Sequence, residues 1–429
     1  MCNGNGSISY TERMGVSAKS GMNILLLRKS TVVEPHGVMY LAGAYKRLGY
    51  GVDILTYNTR EDVLHHNLED YDAVGMSILT GSHIEAFDIA QRIKKSHPSK
   101  FLGVGGQYTL FEPNAERCLE FFDSVCVGES LTPFWQKTGV WQDANLTNYE
   151  ILPDRSALYV NAKYKSSPVK TIFASTGCPF SCTHCQVSRK VRWRPVDLIV
   201  EELKDINKQG GCQTVFFGDD CFGVNVSWLE EFAKKWPGHK YHAQMRVDML
   251  DDERLKLLVK SGCSGVTFAI ESANETVRRL VLGKNKYSNE DIVSAVERLK
   301  SYKLRFRTEQ MIGLPLISFE DDLELIKLNK QIKPNIAWSS IYTPYRGSKL
   351  AEWCVKVGIY DGVNDDCYDD FFTKCVLKYD NKRVSQIEHL QKVFSICVEM
   401  EDGYEIAKES VEQPLHHAYK NTRYKQLYA

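Results

Sequence analysis

Cys178, Cys182 and Cys185 fall within the nine-residue stretch Gly177-Cys178-Pro179-Phe180-Ser181-Cys182-Thr183-His184-Cys185. Three thiolates at this spacing can wrap one face of an iron–sulfur cube and bind three of its irons. The fourth iron then has no ligand nearby and keeps a position open for substrate, as a catalytic zinc does. A structural zinc site would need a fourth ligand, and His184 lies too close to Cys185 to serve easily beside it. The chain has 13 cysteines, an odd number and mostly scattered singly. That argues against a disulfide framework and for metal chemistry in a reducing, cytoplasmic setting.

More chemistry-bearing residues stand where apolar runs end. Gly218-Asp219-Asp220 offers two adjacent acids, which bind a ligand or cap a turn. In Gln244-Met245-Arg246-Val247-Asp248, Arg246 is either a fork for a ligand carboxylate or an ion-pair partner of Asp248 or Glu271. Glu271 ends the run Phe268-Ala269-Ile270-Glu271-Ser272-Ala273, and a buried carboxylate there must be paired. Gly313-Leu314-Pro315 and Thr343-Pro344-Tyr345-Arg346-Gly347-Ser348 follow two further runs.

The elements that position these residues form two βα series. Strands are expected at Asn23–Leu27, Val52–Thr56, Ala73–Ser77, Phe101–Val104 and Ser124–Val127, with helices such as Val38–Leu48 and Ile84–Lys95 between them. Short apolar strands alternating with amphipathic helices imply a parallel sheet covered on both faces. The second series places strands at Lys170–Ala174, Thr214–Phe217, Lys240–Gln244, Gly265–Ile270, Arg305–Ile312 and Ile336–Tyr342. Six such units fit a partial (β/α)6 barrel, whose βα loops build active sites. Val196–Gln209, Asp251–Lys260, Asn289–Lys300 and Phe319–Gln331 are its expected helices. From about Leu350 the pattern turns helical, as at Ser385–Met400.

The fold class is therefore α/β, in five parts. They are a disordered Gly/Ser-rich leader (1–21), a doubly wound N-terminal domain (22–140), a connector (141–168), the barrel (169–350) and a mainly helical C-terminal cap (351–429). Lys+Arg and Asp+Glu both number 54, so no net field draws the chain to nucleic acid. The short basic stretch Lys420–Lys425 reads as a solvated tail. No apolar run approaches the ~20 residues that span a bilayer. Cys354, Cys367, Cys375 and Cys397 are too irregularly spaced for a second cluster. Tyr345, Tyr360 and Tyr368 line a pocket or simply pack.

The cysteine motif, placed after the first barrel strand, resembles the radical SAM family, whose hallmark is Cys-x3-Cys-x2-Cys. The segments at Gly218, Gln244, Phe268, Gly313 and Thr343 are similar to that family's later strand ends. The resemblance implies a [4Fe–4S] cluster on Cys178, Cys182 and Cys185, and a 5′-deoxyadenosyl radical released from S-adenosylmethionine (SAM). It implies SAM contacts from Phe180 and His184, with His184 near the adenine. Asp219 or Asp220 would meet the methionine amino group and Arg246 its carboxylate. Glu271 and Ser272 would meet hydroxyl or amine groups, and Gly313 would line the cleft. Ala269 replaces a family glycine, Leu316-Ile317 a Gly-Glu pair, and Arg346 a proline.

The N-terminal series resembles the cobalamin-binding domain of cobalamin-dependent radical SAM proteins. Glu34-Pro35-His36-Gly37 followed by Tyr40-Leu41-Ala42, Ser77-Ile78-Leu79, Gly105-Gly106, Asp123 through Gly128-Glu129, and Leu152-Pro153-Asp154-Arg155 carry it. It implies cobalamin contacts from Pro35, His36, Gly37, Ser77, Leu79, Gly105, Gly106, Gln107, Gly128 and Glu129. The Asp-x-His-x-x-Gly loop that supplies a lower cobalt ligand in many cobalamin proteins is missing, so ligation by His36 is not implied. The function implied is a cobalamin-dependent methyltransferase acting on an unactivated carbon of a small molecule. An external flavodoxin- or ferredoxin-type protein would supply electrons. A ring-forming cyclase or rearrangement enzyme is the first alternative and a cobalamin or cluster sensor the second. A methylthiotransferase is disfavoured, because Cys2, Cys118 and Cys126 are unsuitably placed for its extra cysteine set.

Overall fold

A computed structural model describes residues 21–142, 151–362 and 373–409. The expected leader up to residue 20, residues 143–150 of the connector, Cys2, Cys367, Tyr368 and the basic stretch Lys420–Lys425 lie outside the described residues. Two compact units make up the chain. The first takes in residues through Gly177, Val191–Phe222 and Ser227–His242; the second takes in Cys178–Lys190, Gly223–Val226 and the chain from Ala243 onward.

In the first unit, β1 (Asn23–Lys29), β2 (Gly51–Tyr57), β3 (Ala73–Ser77), β4 (Phe101–Gly105), β5 (Ser124–Cys126) and β6 (Gly139–Trp141) form one sheet of order β2-β1-β3-β4-β5-β6. All its pairings are parallel. Parallel strands are buried on both faces, which is why all four side chains of Ile24–Leu27 are sealed from water. Leu25 and Leu27 share a core with Val74, Val104 and the helix His83–Ser96. Ile24 and Leu26 face the other way, toward the helix His36–Arg47 and the connector residues Ile151, Leu158 and Tyr164. The strand order reverses between β1 and β3, the switch point outside whose strand ends such sheets bind ligands.

The same unit holds β7 (Val169–Ile172) and the two-residue strands β8 (Ser175–Thr176) and β9 (Arg192–Trp193). β8 and β9 pair antiparallel and bring together the two ends of the chain segment that carries the cysteines. β10 (Thr214–Phe217) lies parallel to β7. With β11 (Tyr241–Met245), β12 (Cys263–Glu271), β13 (Arg305–Ile312) and β14 (Ile336–Ile341), these strands form a parallel half-barrel sheet of order β14-β13-β12-β11-β10-β7.

In the second unit, the α-helices Asp252–Lys260, Asn289–Ser301 and Phe319–Ile332 are each started by an acid or serine. Asp251 accepts from the Arg254 N–H, while Ser288 with Asp291 and Ser318 with Asp321 form capping boxes. Such caps satisfy the free N–H groups of the first turn and fix where the strand-end loops stop. β14 is an edge, and edge strands expose unpaired main-chain groups. The helix Asn381–Glu399 covers it: Ser395 Oγ donates to the Ala337 carbonyl and Gln391 Nε2 to the Ser339 carbonyl, at 3.3 Å for the latter.

Candidate active site

The second unit carries the cysteine loop and the ends of β11 to β13. Cys178 N–H donates to the Ser188 carbonyl at 2.8 Å and Cys185 N–H to that of Cys182 at 3.3 Å, which folds the loop back on itself. None of the three cysteines is in a disulfide, and each is half-buried. Burial pushes the Cys185 thiol up, and the neighbouring sulfurs of Cys182 and Cys178 push the same way, against the Val187 N–H at 3.4 Å. Among the described residues, no three His, Cys, Asp or Glu side chains converge on a point that one metal ion could fill. Ligands to three corners of a cube need not meet at one point.

One guanidinium meets the cysteine loop at Cys182. Arg246 Nη1 lies 3.5 Å from Cys182 Sγ, and its guanidinium stacks 3.8 Å from the Phe180 ring centroid. Its fork is engaged by Asp248, with Nε 2.8 Å from Oδ1 and Nη2 3.2 Å from Oδ2. Of the alternatives open for Arg246, the structure forms the ion pair with Asp248. A cation beside a cluster sulfur suits a cluster that must accept negative charge on reduction.

Glu271 ends β12 with a left-handed φ of +67°, just after the register shifts between Ala269 and Glu271. Its Oε1 accepts from Lys284 Nζ at 2.6 Å and lies 3.5 Å from His184 Nε2. Burial alone would raise this carboxyl, but the Lys284 ammonium and His184 outweigh it and hold it at about 2. His184 Nδ1 is buried without a protein partner. The Ser272 hydroxyl accepts from the Asn274 N–H at 3.2 Å, so it serves its own loop. Gly313, at φ +75°, donates its N–H to Asp322 at 3.1 Å, and Arg383 Nη2 closes on the same carboxylate at 2.6 Å.

The first unit holds the remaining candidates. Asp219 accepts from the Ala174 N–H, the Ser175 N–H and the Ser175 hydroxyl at 2.9, 2.5 and 2.6 Å. Burial pushes it up to about 7 against those three bonds. Asp220 accepts from the Gly177 N–H at 2.8 Å. Both acids therefore clasp the main chain that leads into Cys178.

Ser77, Gly105 and Gly128 follow each other across the C-terminal ends of β3, β4 and β5, with Ser77 and Gly105 in register. Ser77 Oγ and its carbonyl both accept from Arg28 Nη1 at 3.1 Å. Gly106 has φ +107°, and a Cβ there would lie 2.6 Å from the Ile78 carbonyl oxygen. Leu79 is half-buried and Gln107 is exposed. Glu129 pairs with Arg192 of β9. Pro35 precedes the helix that His36 and Gly37 begin. His36 is buried and meets the Phe173 ring edge-on at 4.7 Å, yet neither of its ring nitrogens has a protein partner. Burial, then Arg155, depress its pKa to about 4, so the ring is neutral.

Sequence reasoning missed a buried ion network behind this turn. Arg155 donates to Glu34 at 2.7 Å, to Glu202 at 2.6 Å and to the Thr171 carbonyl at 2.7 Å. Arg194 joins Glu202 at 2.6 Å, and Tyr159 donates to Glu34 at 2.7 Å. Glu34 also accepts from the Thr171 N–H, so the turn before Pro35 is anchored from three sides. The available signal was a charged residue, Glu202, on the apolar face of its helix. Lys284 was missed too, and only the need to pair Glu271 pointed toward it.

Comparison with known proteins agrees with this geometry. Residues 172–328 match the family model of the radical SAM superfamily, and residues 22–134 match the B12 binding domain. The chain carries a B12-binding domain followed by a radical SAM domain. An uncharacterized methyltransferase of Pyrococcus horikoshii is 25% identical over 76% of this chain and 79% of its own. The anaerobic magnesium-protoporphyrin IX monomethyl ester cyclase of Rubrivivax gelatinosus is 25% identical over 76% of this chain and 67% of its own. The radical SAM methyltransferase TsrM of Kitasatospora setae, solved with cobalamin and a [4Fe–4S] cluster, shares the fold. Its TM-score is 0.63 at 15% identity, over 78% of this chain and 79% of its own.

A radical SAM domain implies a [4Fe–4S] cluster and SAM, and a B12-binding domain implies cobalamin. The residues present fit both. Three cysteines outside any disulfide, one of them beside a guanidinium, suit the cluster. Strand ends trimmed to Ser77, Gly105, Gly106 and Gly128, with the unpartnered His36 imidazole at the start of the helix after β1, suit a broad ligand rich in amide groups.

Proposed function

We propose that this protein is a cobalamin-dependent radical SAM methyltransferase that methylates an unactivated carbon of a small molecule. One observation carries the reading: a loop of three cysteines outside any disulfide, with Arg246 against Cys182, in a chain that also bears a B12-binding domain. When bound, the cluster supplies the electron that cleaves SAM, and cobalamin carries the methyl group.

The protein's own residues bind, orient and exclude water. Cys178, Cys182 and Cys185 hold three irons. Arg246, held by Asp248, keeps positive charge against Cys182. The Lys284–Glu271 pair fixes the carboxylate that faces His184, and His184 with Phe180 flanks the adenine. Asp219 and Asp220 hold the approach to Cys178. Ser77, Gly105, Gly106, Gln107 and Gly128 offer main chain to the corrinoid, with Pro35, His36, Gly37, Leu79 and Glu129 around it. An external one-electron protein donor and a reducing, cytoplasmic setting follow from the low potential such chemistry needs, and no nucleic acid takes part.

Anaerobic protein reconstituted with iron, sulfide and cobalamin, then given SAM and dithionite, tests the reading. It should release 5′-deoxyadenosine and S-adenosylhomocysteine together. 5′-Deoxyadenosine alone would replace the methyltransferase with a ring-forming enzyme like the magnesium-protoporphyrin cyclase. Neither product would end the enzymatic reading.

A further inference from the structure

The solvent side of the cysteine loop is basic. Cys178–Lys190 contains no acid, and Arg189 and Lys190 are exposed. Thr276–Lys286 contains no acid either, and holds Arg278, Arg279, Lys284 and Lys286. Two of these four are used internally. Arg278 is sealed and donates to the Ser272 carbonyl at 2.7 Å and to Asn289 Oδ1 at 2.8 Å, while Lys284 is paired with Glu271. Arg279 and Lys286 are exposed.

The two segments touch. Thr183 donates its N–H to the Leu282 carbonyl at 3.2 Å and its hydroxyl to that of Val281. Gly283 has φ +70°, and a Cβ there would sit 3.2 Å from the Ser181 carbonyl oxygen. Arg189 is tethered across the loop by bonds to the Phe180 and Cys182 carbonyls, the latter at 3.2 Å. Arg189, Lys190, Arg279 and Lys286 are therefore four exposed cations on two segments that meet at the cysteine loop, in a protein whose formal net charge is zero. Among them Leu280 is 69% exposed, an apolar contact inside a charged rim.

We propose that this surface docks the external electron donor, an acidic ferredoxin-type protein. The inference rests on the radical SAM reading, since only that chemistry calls for a one-electron reductant here. Electron transfer slows steeply with distance, so a donor must seat at the surface nearest the cluster. Complementary charge steers that encounter and raises its rate. One electron moves: an iron of the donor passes from Fe(II) to Fe(III), and the [4Fe–4S] core passes from 2+ to 1+. No bond forms or breaks.

The test is stopped-flow reduction of the reconstituted cluster in the full chain, without cobalamin or substrate. The protein donor is a pre-reduced acidic plant-type [2Fe–2S] ferredoxin, and the small uncharged donor is photoreduced 5-deazaflavin. Lys190→Glu/Arg279→Glu should slow ferredoxin by roughly tenfold or more at low salt and leave deazaflavin unchanged. Added salt should slow wild type steeply and the variant little. Equal ferredoxin rates in the two proteins would overturn the proposal. Parallel losses with both donors would also overturn it, by placing the effect in the cluster. Iron content of the same samples reads the parent assignment separately.

Discussion

Lys284 Nζ lies 2.6 Å from Glu271 Oε1, with the two side chains only 6% and 10% exposed. Glu271 reaches this partner through a register shift in β12 and a left-handed backbone, which disfavours a side chain by about 1–2 kcal/mol. Strain of this kind persists where surroundings over-determine it, and it gathers at functional sites. Here it aims one carboxylate at both Lys284 and the motif residue His184.

Breaking that pair from the lysine side leaves a buried carboxylate uncompensated. Lys284→Met should therefore lower stability by about 3–5 kcal/mol, read from urea unfolding of the cluster-free protein. Glu271→Gln/Lys284→Met should recover most of the loss, because neither charge is then stranded. If the double variant were no more stable than Lys284→Met, the pair would not be the source of the effect. The double variant should also bind SAM more weakly at unchanged iron content.

Arg155 is the hub of a network in which Arg155, Arg194, Glu34 and Glu202 are each at most 3% exposed. Their charges cancel, so the network is stable as a set and fragile by parts. Arg155→Met should cost about 3–5 kcal/mol. Arg155→Lys should rescue little, since one ammonium cannot reproduce separate bonds to Glu34, Glu202 and the Thr171 carbonyl. Urea midpoints of the three proteins give the comparison, and a fully stable lysine variant would contradict it.

The parallel strands were legible because burial on both faces writes itself as runs such as Ile24–Leu27. The cysteine loop was legible because its ligands are local in sequence. What escaped was tertiary. Glu34 and Arg155 meet across 121 positions, and no local pattern announces that. β8 and β9 are two residues each, too short for any period to show. Asp219 and Asp220 could be read as acids at a strand end. Whether they face a ligand or the preceding main chain depends on where Ala174–Gly177 runs, which only the fold decides.

Asp219 gives a pH signature. Its folded value of about 7 exceeds the ordinary 3.8, so between those values the folded chain holds a proton that the unfolded chain has released. The native state binds more protons there, so stability falls as pH rises through the window and levels off above it. Asp219→Asn removes the titration. Its stability relative to wild type should improve between about pH 4 and about pH 7, by something on the order of 2–4 kcal/mol. Urea midpoints across that range check the sign, and a flat difference would show that Asp219 is ionised throughout.

Gly106 separates cobalamin binding from the rest of the chemistry. Its φ of +107° is disfavoured for any side chain, and an added Cβ would meet main chain, the Ile78 carbonyl oxygen at 2.6 Å and the Ile78 nitrogen at 2.8 Å. Neither neighbour is a flexible side-chain tip, so β3 and β4 must part where the corrinoid is read to lie. Gly106→Ala should cost about 1–3 kcal/mol and lower cobalamin retention through gel filtration at least tenfold, read as corrinoid absorbance per mole of protein. Iron content and dithionite-driven release of 5′-deoxyadenosine should stay near wild type, because the cysteine loop is untouched. Retention of cobalamin at the wild-type level would place the corrinoid away from the ends of β3 and β4.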